Sequence, residues 1–231
     1  MEPINFDIDN LWVINIGGTD IWITRTIFNV WLIMAFLIIV AIVIRIALRK
    51  REEIPTGLQN AVELVVEFFD GMLKQAVGES RMYLGNWFFT VFIFILVSNL
   101  SGLVGLRPPT ADWAMTFALA LATFILIQIM GIKEYKWGYL KGFFEPSPLF
   151  LPLNILGELA RPISLSFRLF GNVLSGMILV SLVYEVAPIF VRFAIPSVLH
   201  AYFDLFAGAI QTYIFCSLSM MFVGLAAGYS E

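Results

Sequence analysis

The chain alternates long uncharged runs with short junctions rich in charge. Residues Thr26 to Ile44 carry no charged side chain. At the helical rise they extend roughly 29 Å, about the thickness of a bilayer core. The pattern predicts a first membrane span over 26–48, closed by Arg45, Arg49, Lys50 and Arg51. Tyr83 to Leu106 is a second such run and is stopped by Arg107-Pro108-Pro109, because proline lacks a donor and disfavours a helical residue before it. Ala114 to Ile132 is a third, followed by a loop with Lys133, Lys136, Lys141, Pro146 and Pro148.

Between the first two spans, 53–79 has a different period. Leu58, Val62, Leu64, Val65, Phe68, Phe69 and Leu73 favour one side, and Glu63, Glu67, Asp70 and Lys74 interrupt them. Four charges within a span would be costly, so an amphipathic helix on the membrane surface is expected. Two long runs close the chain, 153–186 and 198–228, with Pro188 and Pro196 at the expected turn. The fold class follows: an all-α integral membrane protein with five transmembrane helices, one amphipathic surface helix, and a final membrane hairpin of two long helices. The whole of 1–231 reads as one membrane domain, with 1–25 as an outer segment.

Composition agrees with the pattern. Apolar residues make up 60% of the 231, charged residues 13%, and mean hydropathy is +0.88. Soluble domains carry about twice that charge fraction. A net charge of -3 argues against a nucleic-acid partner. The single cysteine, Cys216, can form no internal disulfide and reads as a small buried apolar residue. The N-terminus holds Glu2, Asp7, Asp9 and Asp20 and lacks the positive region of a signal peptide, so no cleavage is expected.

Charge also sets an orientation. With the end of the first span in the cytoplasm, Arg45, Arg49, Lys50, Arg51, Lys74, Arg81, Lys133, Lys136 and Lys141 lie inside. Only Arg25, Arg107 and Arg192 lie outside, and Arg161 and Arg168 fall within a helix. The positive-inside bias then puts the N-terminus outside and the C-terminus in the cytoplasm of a multi-pass inner or plasma membrane protein.

The penultimate run has polar residues where lipid should forbid them. Glu158, Arg161, Ser164, Arg168, Asn172 and Ser175 follow at intervals of 3, 3, 4, 4 and 3, which is one face of a helix. The last run repeats this with His200, Asp204, Gly208, Gln211 and Ser219. Two antiparallel helices with facing polar stripes would enclose a hydrated path. Arg161 can snorkel or pair with Glu158. Arg168 is roughly 10 Å further along the axis, where an arginine costs on the order of 2.5–3.5 kcal/mol to insert and does not deprotonate. It is either the functional charge of the path or one half of an ion pair with Asp204 or Glu158. Asp204 could relay a proton or steer a cation, or simply neutralise Arg168. Gln211 could hold the Arg168 side chain or join two helices, His200 could relay or pack, and Glu185 could gather cations at an outer mouth.

Nucleotide-binding GxxxxGK[ST], metal-binding HExxH and paired cysteines are absent from the sequence, so no cofactor, metal or nucleotide is expected on this chain. Asn99-Leu-Ser101 has the form of a glycosylation sequon but lies within a span. Gly224-Leu-Ala-Ala-Gly228 has the helix-packing spacing.

The run Pro162-Ile-Ser-Leu-Ser-Phe-Arg-Leu-Phe-Gly-Asn172 resembles the signature of subunit a of F-type ATP synthases. Gln211-Thr-Tyr-Ile-Phe215, Ile54-Pro-Thr-Gly57 and the five-span plan are similar too, so the resemblance covers essentially the whole chain. It implies two long helices curved against a ring of c subunits, a peripheral stalk of b subunits, and two offset aqueous half-channels. Arg168 then looks like the essential arginine, with Asn172, Ser164 and Gln211 as polar neighbours. Some family members carry a carboxylate after the glycine equivalent to Gly176 and a histidine seven residues before the glutamine. Here those positions hold Met177 and Asp204, so the outward relay is expected on the last helix. The path would run by Glu158 and Ser164 inside, and by Asn172, Ser175, Asp204, Gln211 and His200 outside.

The resemblance thus implies a non-catalytic stator subunit that passes H⁺ or Na⁺ to ring carboxylates. An autonomous secondary transporter binding an anion at Arg168 is the alternative, although the paired repeats of such proteins are not evident. An intramembrane enzyme using Asp204 and His200 ranks last, for want of a nucleophile or metal set.

Overall fold

The computed structural model describes residues 10–16, 19–49, 57–144 and 147–229. Glu2, Asp7, Asp9, Lys50, Arg51, Glu53, the Ile54-Pro-Thr run and Pro146 lie outside the described residues. The chain opens with two strands, β1 (Asn10–Ile16) and β2 (Thr19–Thr24), paired antiparallel with Val13 opposite Trp22 and Asn15 opposite Asp20. The helices are α1 (Arg25–Ala47), α2 (Gly57–Val77), α3 (Gly85–Leu100), α4 (Trp113–Tyr135), α5 (Trp137–Gly142), α6 (Leu151–Val186), α7 (Ile189–His200) and α8 (Gly208–Ala226). A π-helical segment, Ala201–Ala207, joins α7 to α8.

Five helical segments are long and apolar enough to cross a membrane: Arg25–Ala47, Glu79–Val104, Trp113–Tyr135, Pro148–Val186 and Ile195–Ala226. The protein is therefore an all-α membrane protein in its membrane portion. The two strands are an addition that apolar periodicity does not predict. Leu11, Trp12, Val13, Trp22 and Ile23 give that segment the β-branched and aromatic character of strands, and Asn15 Nδ2 donates to Asp20 Oδ1 at 2.6 Å across the pair.

Local signals explain the helix limits. Thr24 caps α1 by accepting from the Ile27 amide, and Asp112 caps α4 by accepting from the Ala114 amide at 3.0 Å, each satisfying one of the free donors of a first turn. Helix α1 buries little more than Thr26, Asn29 and Ile33, so most of its apolar surface faces outward, as a lipid-facing span requires. Helix α2 has the expected split in part: Leu58, Leu64, Val65 and Phe68 of its apolar set are exposed. Phe69, Leu73 and Val77 are buried, while Glu63, Glu67, Asp70 and Lys74 are exposed.

The remaining helices pack on two cores. One gathers Phe69, Leu73, Val77, Phe88, Ile127, Met130, Met220 and Val223 from α2, α3, α4 and α8. The other gathers Val91, Ile95, Ala120, Leu165, Leu169, Phe215 and Cys216 from α3, α4, α6 and α8. Small residues let helices approach, as the Gly224 spacing suggested. A Cβ on Gly224 would overlap the Ala76 carbonyl oxygen, so α8 presses directly on the backbone of α2. The Thr116 and Ser166 hydroxyls, both fully buried, meet at 3.1 Å between α4 and α6.

Two expectations for the terminal hairpin change. Pro196 lies inside α7 and not in the turn, which falls at Ala187 and Pro188. The final segment is not one regular helix: it runs as α7, the π segment and α8. Helix α6 is continuous over 36 residues, about 54 Å. That exceeds the roughly 30 Å of a hydrocarbon core, so it must tilt or project beyond it.

Candidate functional site

Helix α6 buries Pro162, Leu165, Ser166, Leu169, Val173, Gly176 and Val180. These repeat at three- and four-residue steps and face α4 and α8. The polar stripe is on the other side. Ser164, Arg168 and Ser175 are exposed, and Glu158, Arg161 and Asn172 are partly so. Exposed Gly157, Ala160, Ile163, Phe167 and Gly171 share that face. Leu218 and Phe222 of α8 border one edge of it, beside Arg161, Ser164 and Arg168, and the rest is open among the described residues.

Arg168 makes no hydrogen bond or ion pair with any described residue. Neither carboxylate considered for it is its partner. Glu158 pairs with Arg161 at 2.8 Å, one turn away on α6. Asp204 pairs with His200 Nδ1 at 2.6 Å, on the last segment itself. The Gln211 expectation changes as well. Its side chain is 7% exposed, packed inside the bundle, while Arg168 points out of it. Gln211 Nε2 and Asn172 Nδ2 are shielded and have no partner among the described residues.

On one side of Arg168 lie two neighbouring hollows. A cavity of about 650 Å³ lies between α5 and the start of α6, bounded by Tyr135, Tyr139, Phe143, Asn154, Glu158 and Arg161. A smaller one, about 220 Å³, lies between α6 and α8 and is bounded by Arg161, Ser164, Arg168, Leu218 and Phe222. Gly157 and Arg161 border both. Sequence reading missed the supports of this region. Tyr139 donates to Gln128 Oε1 at 3.0 Å, and Gln128 Nε2 reaches Glu158 Oε2 at a long 3.4 Å. Burial first, then the Glu158 charge, raises the Tyr139 phenol above its usual pKa, which keeps it a donor. An uncharged polar residue inside a span, Gln128, was the available signal.

On the other side, Asp204 lies against the Ser101–Val104 turn that follows α3. Its side chain is 15% exposed. A Cβ on Gly102 would stand 2.7 Å from Asp204 Oδ2, so only glycine there leaves room for the carboxylate. Asp204 sits within the π segment, a form that recurs at functional sites. Glu185 is exposed near the end of α6. Ser175 donates to the Asn172 carbonyl at 3.0 Å. Asn99, in the discarded sequon, is 2% exposed and is the polar centre where α3, α8 and the Pro109–Ala111 turn meet.

The architecture and this site define a class: a multi-pass membrane protein with an unpaired cation on an uncovered helix face, flanked by polar clusters at two depths. Comparison with known proteins makes it particular. The ATP synthase A chain family profile matches residues 28–224. The chain is 39% identical over 214 residues to ATP synthase subunit a of Moorella thermoacetica, covering 91% of this chain and 93% of that one. It is 34% identical over 226 residues to the sodium ion specific subunit a of Propionigenium modestum, covering 90% and 76%. A subunit a 2 of Syntrophotalea carbinolica is 37% identical over 200 residues, covering 84% and 82%. The chain belongs to the ATP synthase subunit a family. It is thus a component of the membrane sector of ATP synthase, in the service of ion transport and ATP synthesis.

Proposed function

We propose that this chain is the non-catalytic stator that exchanges the coupling ion with carboxylates of a rotating c ring. The observation that carries this reading is the position of Arg168: exposed, unpaired among the described residues, and on a face of α6 that is largely open among them. A permanent charge facing lipid is costly, so this face calls for a partner that supplies a negative group. A ring carboxylate meets that need. It crosses lipid only when neutralised by its ion, and opposite Arg168 it favours the charged form and releases that ion.

The two polar clusters support two offset entries. The cavities by Glu158, Arg161 and Ser164 serve the cytoplasmic side, with Glu158 as carboxylate and Ser164 beside Arg168. Asp204 and His200 serve the outer side, continued by Ser175, Asn172 and Gln211. The unmatched donors of Asn172 and Gln211 suit water or a passing carboxylate, because a buried donor without an acceptor is disfavoured. Arg168 between the entries opposes direct leakage of a cation, so ions travel round on the ring. Each charge crossing delivers roughly 2.3 kcal/mol per 100 mV. The N-terminus is outside and the C-terminus cytoplasmic, and b subunits complete the stator. The coupling ion is H⁺ or Na⁺, distinguished by whether dicyclohexylcarbodiimide labelling of the ring responds to Na⁺.

The test is Arg168→Ala in the reconstituted synthase. It is expected to abolish ion-driven ATP synthesis while the complex still assembles. Retained synthesis would overturn the reading.

A further inference from the structure

A regular α-helix would not give the direction in which Asp204 points. Seven residues of α-helix make almost two full turns, so Asp204 and Gln211 would share a face. The π segment Ala201–Ala207 intervenes. Its i→i+5 bonding holds more residues per turn, so it turns less per residue and rotates Asp204 off the Gln211 face. The contacts agree: Asp204 lies by Gly102 and Gly208 lies by Asn99, so these two residues share the side that meets the end of α3.

The boundary where the π segment gives way to α8 is fastened from outside. Asn99 Nδ2 donates to the Gly208 carbonyl and to Thr212 Oγ1, both at 3.1 Å. Asn99 Oδ1 accepts from Thr110 Oγ1 at 2.7 Å. Thr212 Oγ1 itself donates to the Gly208 carbonyl at 2.8 Å. Both amide donors and the amide oxygen of a fully enclosed side chain are thus used. Asn99 can reach this point because residue 208 is glycine: a Cβ there would stand 3.0 Å from Asn99 Cβ. The junction is made at Gly208: its amide still donates to the Phe203 carbonyl, five residues back, while the residue itself opens α8.

We infer that Asn99, braced by Thr110, is a positioning residue: it locks the π-to-α boundary at Gly208 and so sets the rotation that turns Asp204 toward Gly102. Its relevance to ion flow rests on the reading of Asp204 as the outer carboxylate, but the geometric claim does not. Without the lock, the α bonding of α8 extends back through Gly208, and regular α geometry carries Asp204 away from the Ser101–Val104 turn.

The experiment uses the assembled synthase with Cys216→Ser and the cysteine pair Gly102→Cys with Asp204→Cys. Their closeness predicts ready disulfide formation. Adding Asn99→Leu is expected to lower the cross-link yield about tenfold, since pairing fails once the side chains turn apart. Thr110→Val and Gly208→Ala, which disturb the same junction more gently, repeat the test should Asn99→Leu not assemble. An unchanged yield in any assembled variant of this set overturns the inference. In parallel, with Asp204 intact, Asn99→Leu should raise the outer-side ion concentration for half-maximal ATP synthesis about tenfold to a hundredfold, the scale of a misplaced group, while the maximal rate falls less. Loss of the cross-link with unaltered ion dependence would leave the positioning role standing and sink the outer-carboxylate reading of Asp204 instead.

Discussion

At the scale of single residues, the charges inside the membrane and the pairing of Arg161 with Glu158 were legible, and the surroundings of Arg168 were not. Arg168 stood out because an arginine has no neutral form to retreat to. Its candidate partners, Glu158 and Asp204, turn out to be engaged elsewhere, with Arg161 and His200. Both are local pairs, three and four residues apart, and such pairs form without the cost of closing a long loop. Asp204→Asn is expected to cut ion-driven ATP synthesis strongly while leaving assembly intact, and unaltered synthesis in liposomes would count against a relay role. Arg81 is a structural counterpart. Its Nη2 donates to the Ala227 carbonyl at 2.6 Å and to Glu134 at 3.0 Å, tying the end of α8 to α4. Arg81→Ala should lower thermal stability in detergent by about 2 kcal/mol, the range for a bond to a charged group. A melting temperature equal to the parent's would contradict this.

At the scale of elements, hydrophobic run length was a sound guide to α1, α3, α4 and α6, because backbone in lipid must satisfy its own hydrogen bonds. Run length carries no information about helix type. The π segment is therefore invisible in the sequence: it depends on a bond from Asn99, more than a hundred positions earlier, to the Gly208 carbonyl. The hairpin of β1 and β2 was missed for a different reason. It is short, and its apolar residues face both sides, so neither period dominates. The contact of α2 with α8 was signalled by Gly224, although its partner was not. Gly224→Val should separate the two helices, because even a Cβ would overlap the Ala76 carbonyl. Less of the variant chain should be recovered in the assembled complex, and normal yield would argue that α2 can yield at that point.

At the scale of the whole molecule, the isolated chain is unfinished on one side. The face of α6 with Ser164, Arg168, Gly171 and Ser175 is exposed, while the opposite face is packed on α4 and α8. A ring seated there would hide it. Cysteines introduced at Ser164 and Ser175 should therefore react with a bulky thiol reagent in the chain purified alone, and be strongly protected in the complete synthase. Equal labelling in both states would place the ring elsewhere.

The sequence by itself determined that the chain lives in lipid, where its helices lie, and that α6 carries a polar face around Arg168. Solvent and helical period act on each segment separately, so these properties need no knowledge of neighbours. Only the tertiary structure decided which way that face points, which carboxylate meets which cation, and how Asp204 is turned. Those depend on Gly102, Gly208 and Asn99 arriving from distant positions at one place, and on buried polar groups finding partners across helices. A linear pattern can name such groups, but only packing pairs them.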